Sequence, residues 1–277
     1  MSEVTDAPLR PANEDAKTSA HGSHIWYELL TPDPVAAKSF YDAVIGWDIE
    51  PQPAGEMDYR MIRAGDGNNV GGVMRLNAEM AQHGAKPIWL GYVAVDDVDA
   101  TVARVEARGG KVHLPAFDIP DVGRIAMVAD PQGSTFYVMK PTPPKGEEDK
   151  KSTAFSTSTE GHVNWNELTT ADPVAARQFY GELFGWTSEE FMPMGELGEY
   201  RFFAHQGTTI GAVCQPAPGG SFGWRYYIRV PSIGQAVVAV TAGGGTIGMG
   251  PHEVPGGDVI IIGQDPQAAE FALVGKA

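Results

Sequence analysis

Apolar side chains at Ala36, Ala37, Phe40, Tyr41 and Val44 recur at the spacing of one helix face. Asp33 can accept from the free N–H groups of a first turn, Pro34 takes the first helical position, where no donor is needed, and Gly46 supplies a stop. The pattern predicts a short helix whose apolar stripe must lie on a sheet. Ile25–Leu30 reads as the strand that leads into it, and Glu56–Arg63 and Asn69–Leu76 as two alternating strands around the turn residues Gly65, Asp66 and Gly67. Ile88–Val95 predicts a further strand, and Asp96-Asp97 opens a second helix, Val98–Arg108, that ends at Gly109-Gly110. Three short strands follow, at Lys111–Leu114, Arg124–Ala129 and Thr135–Lys140.

The same order is then repeated. T-P-D-P-V-A-A-K-S-F-Y-D-A-V-I-G-W (Thr31–Trp47) returns as T-A-D-P-V-A-A-R-Q-F-Y-G-E-L-F-G-W (Thr170–Trp186), with ten of seventeen positions identical at an offset of 139. Later the offset becomes 135, so that Asp130-Pro131-Gln132 matches Asp265-Pro266-Gln267. A match of this length marks a tandem duplication. The second half carries strands at Val163–Thr169, Glu199–Ala204, Thr209–Gln215 and Trp224–Val230, a helix capped at Ser232, and terminal strands to Val274.

Between the halves, Pro141–Gly161 is proline-rich, charged and then rich in Ser and Thr, which predicts a solvated linker. The expected division is a disordered tail over 1–22, a first domain over 23–142, a linker over 143–160 and a second domain over 161–277. A chain of 277 residues, 43% hydrophobic, can bury a core in each domain. No apolar run approaches the roughly eighteen residues of a membrane span, and the N-terminus lacks the layout of a signal peptide. The net charge of −15 opposes phosphate backbones and anionic membranes, so neither nucleic acid nor a membrane is an expected partner. One cysteine, Cys214, rules out an intrachain disulfide and fits a cytoplasmic location; in its strand-like run it reads as a small buried residue. There is no G-x-S-x-G, phosphate loop or dinucleotide fingerprint, and Gly243-Gly244-Gly245 follows a helix, which it caps.

Four βαβββ modules carrying D-P-x-A-x-x-F-Y…G-W and then D-P-Q-G resemble the vicinal oxygen chelate superfamily, which includes glyoxalase I, bleomycin-resistance proteins and extradiol dioxygenases. Pro115–Ala126 (P-A-F-D-I-P-D-V-G-R-I-A) is similar to tandem glyoxalase-like proteins of bacteria. The resemblance implies an α+β fold of two tandem glyoxalase-like domains, each a curved mixed sheet enclosing a cup. It also implies a divalent metal held by His, Gln or Glu from the first strand of each module and Glu from the last strand. The corresponding positions here are Trp26, Leu90 and Tyr137 in one half and Trp165, Arg225 and Ala272 in the other. None offers such a ligand, and Arg225 would repel a cation. His24 and His162 lie near the first strands without matching one another, and His113, His252, His21 and His83 form no repeated set; each reads as a satisfied or solvated histidine.

What recurs is W-x-E. Trp26 with Glu28, and Trp165 with Glu167, are two apart on a strand and share the face where a ligand would sit. An indole and a carboxylate suit a planar organic molecule, and a carboxylate among apolar walls can act as acid or base. The competing reading pairs these glutamates with Arg60 and Arg201, with Tyr59 and Tyr200 turned away to pack against a helix. Asp118 and Glu253 align in a loop that could reach a cup's rim, or are plain turn acids. Phe117, Trp89, Trp224, Tyr226 and Tyr92 line a cavity or belong to the core, and Arg124 against Val259 makes the two halves chemically unequal.

The expected function is a metal-free, cofactor-free cup that binds a small aromatic or hydrophobic molecule. The ligand-binding residues would be Trp26, Trp165, Leu90, Arg225, Tyr137, Asp118 and Glu253, in a monomer or homodimer. The alternative is an enzyme of the superfamily, a glyoxalase-like lyase, isomerase or dioxygenase. It would use Glu28 or Glu167 as acid/base, or an unusual divalent metal site.

Overall fold

The computed structural model describes residues 19–277 except 54, 56, 144 and 147–149. The first half runs β1 (His24–Thr31), α1 (Pro34–Ile45), β2 (Asp48–Ile49), β3 (Tyr59–Arg63), β4 (Asn69–Arg75), α2 (Ala78–Gln82), β5 (Ile88–Ala94), α3 (Val98–Ala107), β6 (Lys111–Ile119), β7 (Gly123–Ala129) and β8 (Thr135–Pro141). The second runs β9 (Val163–Thr169), α4 (Pro173–Phe184), β10 (Phe191–Pro193), β11 (Glu199–His205), β12 (Thr208–Cys214), β13 (Gly223–Ser232), α5 (Ile233–Ala242), β14 (Thr246–Val254), β15 (Asp258–Gln264) and β16 (Glu270–Lys276). The helix signals act as expected. Asp33 accepts from the N–H groups of Val35 and Ala36, Asp172 from those of Val174 and Ala175, and Gly46 and Gly185 end the helices in the left-handed region.

Each half forms one open eight-stranded mixed sheet, ordered β2-β3-β4-β1-β5-β8-β7-β6 and β10-β11-β12-β9-β13-β16-β15-β14. The fold is α+β, with two sheets in tandem and no closed barrel. β1 pairs β4 in parallel and β5 antiparallel, and β9 does the same with β12 and β13. The two modules of each half therefore join along one central strand pair, and no module is exchanged between halves.

The helical sides of the two sheets share their cores. Phe40 and Tyr41 of α1 pack edge-on against Phe271 of β16, and Phe184 and Tyr180 of α4 pack on Phe136 of β8. Phe40 also explains the glycine run after α5, because a Cβ on Gly245 would come within 2.8 Å of its ring. The run caps the helix and also admits an aromatic from the other half.

Two matching hydrogen-bond chains lock the halves together. Tyr41 donates to Asp265 at 3.0 Å and accepts from the Trp89 indole at 3.1 Å; Tyr180 donates to Asp130 at 3.0 Å and accepts from Trp224 at 3.1 Å. The D-P-Q motifs thus serve as cross-domain acceptors. Both tyrosines are fully buried. Tyr41→Phe is expected to cost about 1–3 kcal/mol by stranding Asp265 and Trp89, measured by urea unfolding, and Tyr180→Phe a similar amount.

The segment between the halves differs from the expected solvated linker. Ser152 donates from its hydroxyl to the Ile25 carbonyl at 2.6 Å, Ala154 is fully buried, and Phe155 bridges to Val163. His162 binds the Thr153 carbonyl through Nδ1 and Asp66 through Nε2 at 3.1 Å. Small and apolar side chains within a polar composition allow this stretch to lie down as a strap. Of the predicted tail, residues 1–18 lie outside the described residues. Residues 19–22 are built into the fold: Gly22 donates to Ala94 O and accepts from Trp186 Nε1, both at 2.8 Å. Among the described residues no helix is long and apolar enough to cross a membrane.

Candidate functional site

The face of the first sheet turned away from the shared core holds a cavity of about 730 Å³. Its floor comes from β1 and β5, where Glu28 pairs in register with Leu90 and Trp26 with Tyr92. Trp26, Glu28, Tyr92 and Tyr137 all line it, the last two stacked at 4.2 Å. Leu90 is buried in the same apolar cluster as Ile25, Tyr92, Ile125, Tyr137 and Met139, but unlike them it is not among the lining residues. Walls of Met57, Met61, Met74 and Met139 give the cavity adaptable apolar surface, and the strap residues Lys150 to Thr153 line it from the linker side.

Tyr59 corrects one expectation. It points into the cup, where its hydroxyl accepts from the Trp26 indole at 2.7 Å, and Tyr200 does the same for Trp165 at 2.8 Å. Gly72 makes the approach possible, since a Cβ there would lie 2.1 Å from the Tyr59 oxygen. With the tyrosine on the cup face, strand alternation sends the arginine to the other side. Arg60 therefore binds Asp58 and the Pro51 carbonyl, both at 2.9 Å, and Arg201 binds Glu199 at 2.7 Å. Neither arginine reaches a glutamate of the W-x-E pairs. The recurring Tyr-Arg dipeptide was visible in the sequence, but which of its members faced the cup was not.

Glu28 is 2% exposed. The Tyr92 hydroxyl donates to Oε2 at 2.8 Å, and Oε1 is buried with no hydrogen-bond partner among the described residues. Burial is the largest influence on this carboxyl and lifts its pKa to about 7, with the Tyr92 and Tyr59 hydroxyls partly offsetting it. Burial likewise holds the Tyr59, Tyr92 and Tyr137 phenols well above their ordinary range, so all three keep their protons.

The second cup has the same frame with a different content. Glu167 accepts from Tyr200 at 2.7 Å and, more weakly, from Tyr227 at 3.3 Å. Arg225, in register with Glu167, reaches it from Nη1 at 2.7 Å and binds Glu270 through Nε at 2.9 Å and Ser221 through Nη2 at 3.0 Å. Burial opposes the charge on Arg225, but Glu167 and Glu270 hold its pKa above the usual value. Ala272, the counterpart of Tyr137, is fully buried.

The remaining candidates lie elsewhere. Asp118 is not among the cavity-lining residues and pairs with Arg124 at 3.1 Å, while its neighbour Phe117 faces the cavity. Glu253 is exposed on β14 opposite Val259. Trp89, Trp224 and Tyr226 belong to the shared core. His24 is buried between the halves and stacks on Trp186 at 5.1 Å. Cys214 is a thiol whose pKa burial pushes up to about 12. No three His, Cys, Asp or Glu side chains converge as a metal-ligating group among the described residues.

Residues 23–138 match the family described as the Glyoxalase/Bleomycin resistance protein/Dioxygenase superfamily. "Putative glyoxylase CFP32" of Mycobacterium tuberculosis is 32% identical over 259 residues, covering 92% of this chain and 95% of the relative. "Anthracycline biosynthesis protein DnrV" of Streptomyces peucetius is 28% identical over 278 residues, covering 92% and 94%. In fold, the chain is similar to the Mn(II)-bound glyoxalase from Novosphingobium aromaticivorans, with a TM-score of 0.61 at 18% identity over 93% of this chain and 83% of that one. It is also similar to the 2,3-dioxygenase LapB from Pseudomonas sp. KL28, with a TM-score of 0.61 at 12% identity over 94% and 93%. Two similar halves, each with a first strand, capped helix and sheet order of this kind, together with a relative matched over nearly the whole length, place the chain in the glyoxalase/bleomycin resistance protein/dioxygenase superfamily.

Proposed function

We propose that the first cup binds a small organic molecule with an aromatic or hydrophobic body and holds it without a divalent ion. Glu28 carries this reading: a carboxylate with one free buried oxygen, at the floor of an apolar cavity of ligand size. Trp26 beside it offers a ring for stacking. The donor set does not fit a metal. Around Glu28 stand an indole, an aliphatic side chain and three phenols that keep their protons, and the corresponding place in the second cup is taken by the Arg225 cation. The name of the anthracycline biosynthesis relative adds support for a fused-ring guest.

Titration with 1,4-dihydroxyanthraquinone tests the reading. Saturable quenching of tryptophan emission is expected, and Ile125→Trp, which fills the cavity from β7, should weaken binding about tenfold or more, or 1.4 kcal/mol. Failure of this and other fused-ring aromatics to bind would remove the reading.

One observation favours a second reading, in which the same carboxyl also moves a proton. A group titrating near 7 is poised as a general acid or base, as a lyase or isomerase step requires. Glu28 suits this role; Glu167, tied to Arg225, does not. With a substrate in hand, Glu28→Gln should lower kcat by roughly 10²–10⁴-fold and abolish the pH limb near 7. Undiminished turnover would discard it.

A further inference from the structure

The duplication makes each cup a reference for the other. Glu28 and Glu167 both follow an indole that donates to a tyrosine two strands away, Tyr59 on β3 or Tyr200 on β11, and both accept from a second tyrosine, Tyr92 or Tyr227, on the antiparallel strand. The cross-strand partners differ. Arg225 faces Glu167 and places a guanidinium nitrogen 2.7 Å from its Oε1, whereas Leu90 faces Glu28, whose Oε1 is buried and has no partner. In the second cup, then, the chain supplies a cation for the carboxylate. In the first it supplies an apolar side chain and a cavity.

We propose that the guest of the first cup brings this cation itself: a protonated nitrogen, as ammonium, amidinium or guanidinium, on an aromatic or hydrophobic body, seated on Glu28 Oε1 as Arg225 is seated on Glu167. The proposal rests on the small-molecule reading of this cup and narrows it to one chemical class. The charges around the cavity favour it. Among the described residues, Glu28, Lys150 and Lys151 are the charged residues that line it, and both lysines are exposed on the strap while Glu28 is buried. The groups that face Glu28 are Tyr59 from β3, Tyr92 from β5 and Tyr137 from β8, none of them cationic. A buried carboxylate without a counter-charge is costly, and a cationic guest relieves that cost where a neutral one does not. The acidic chain as a whole also attracts cations.

Three naphthalenes of similar size test the proposal by calorimetry on the full chain at pH 8: 2-naphthylmethylamine, 2-naphthylmethanol and 2-naphthoate. The amine is expected to bind about tenfold or more tighter than the alcohol, with the naphthoate weakest. Glu28→Gln should erase the preference for the amine and keep alcohol binding. Leu90→Arg should abolish amine binding, because the new side chain takes the guest's seat; circular dichroism checks its folding, and Glu28→Gln stands without it. Amine affinity should also fall about tenfold from pH 8 to pH 6, as the free protein's Glu28 takes up a proton. Equal binding of amine and alcohol, or a preference for the naphthoate, would overturn the proposal and leave the small-molecule reading standing. If none of the three binds while 1,4-dihydroxyanthraquinone does, the proposal alone falls; if none of the four binds, both fall.

Discussion

Lowering the pH from 7 to 4 is expected to remove about 3 kcal/mol of folding stability through His24 alone. This ring is buried between the two halves, stacked on Trp186 and facing Tyr27, Phe155 and Trp224, with Nδ1 unpartnered. Burial is the main cause that lowers its pKa to about 3, and the nearby His205 adds to it. The unfolded chain takes up this proton near the ordinary value of about 6.5. The folded chain does so only near 3. The unfolded state therefore binds more protons throughout that window, and stability falls as the pH drops through it, by roughly 5 kcal/mol in full. Urea unfolding of the wild type and of His24→Leu at pH 7 and pH 4 isolates the effect. The gap between the two should shift by about 3 kcal/mol in favour of the variant at pH 4. A gap independent of pH would mean that His24 is not buried as described.

Glu28→Gln is expected to gain about 3 kcal/mol relative to the wild type when the pH rises from 4.5 to 8. The sign is opposite to that of His24, because the folded pKa of Glu28, about 7, lies above its ordinary value. Its contribution is fully present below pH 4.5 and is lost as the pH rises through 7, where the folded protein must hold a buried charge without a counter-cation. A neutral amide of the same shape escapes that cost. A residue whose replacement stabilises the empty protein while weakening its binding is kept for function, not for folding. A purely structural Glu28, paired like Glu167, would make the variant less stable at pH 8.

Much of the fold was legible because its signals are local. The capping aspartates, the glycine stops and the doubled seventeen-residue stretch act through neighbours in sequence, and W-x-E places its two side chains on one face whatever surrounds them. The long-range arrangement was less visible. Nothing in the helix stripe says that Phe40 would pack on Phe271 of the other half, nor in Pro141–Gly161 that Ala154 would be buried. The six positions that lack metal ligands were readable by alignment. That Arg225 would neutralise Glu167, leaving Glu28 as the uncompensated member of the pair, required the cross-strand register. Two-residue edge strands such as β2, and the short α2, are set by pairing and capping too brief to leave a periodic pattern.

The ionisation of Glu28 in the guest-free protein tests the central claim most directly. A carbon-13 titration of the glutamate carboxyls, with Glu28 assigned by the signal lost in Glu28→Gln, is expected to give a midpoint near 7. A midpoint at or below the ordinary glutamate value of about 4.3 would contradict the account, because it would mean that a counter-charge already sits on this carboxylate.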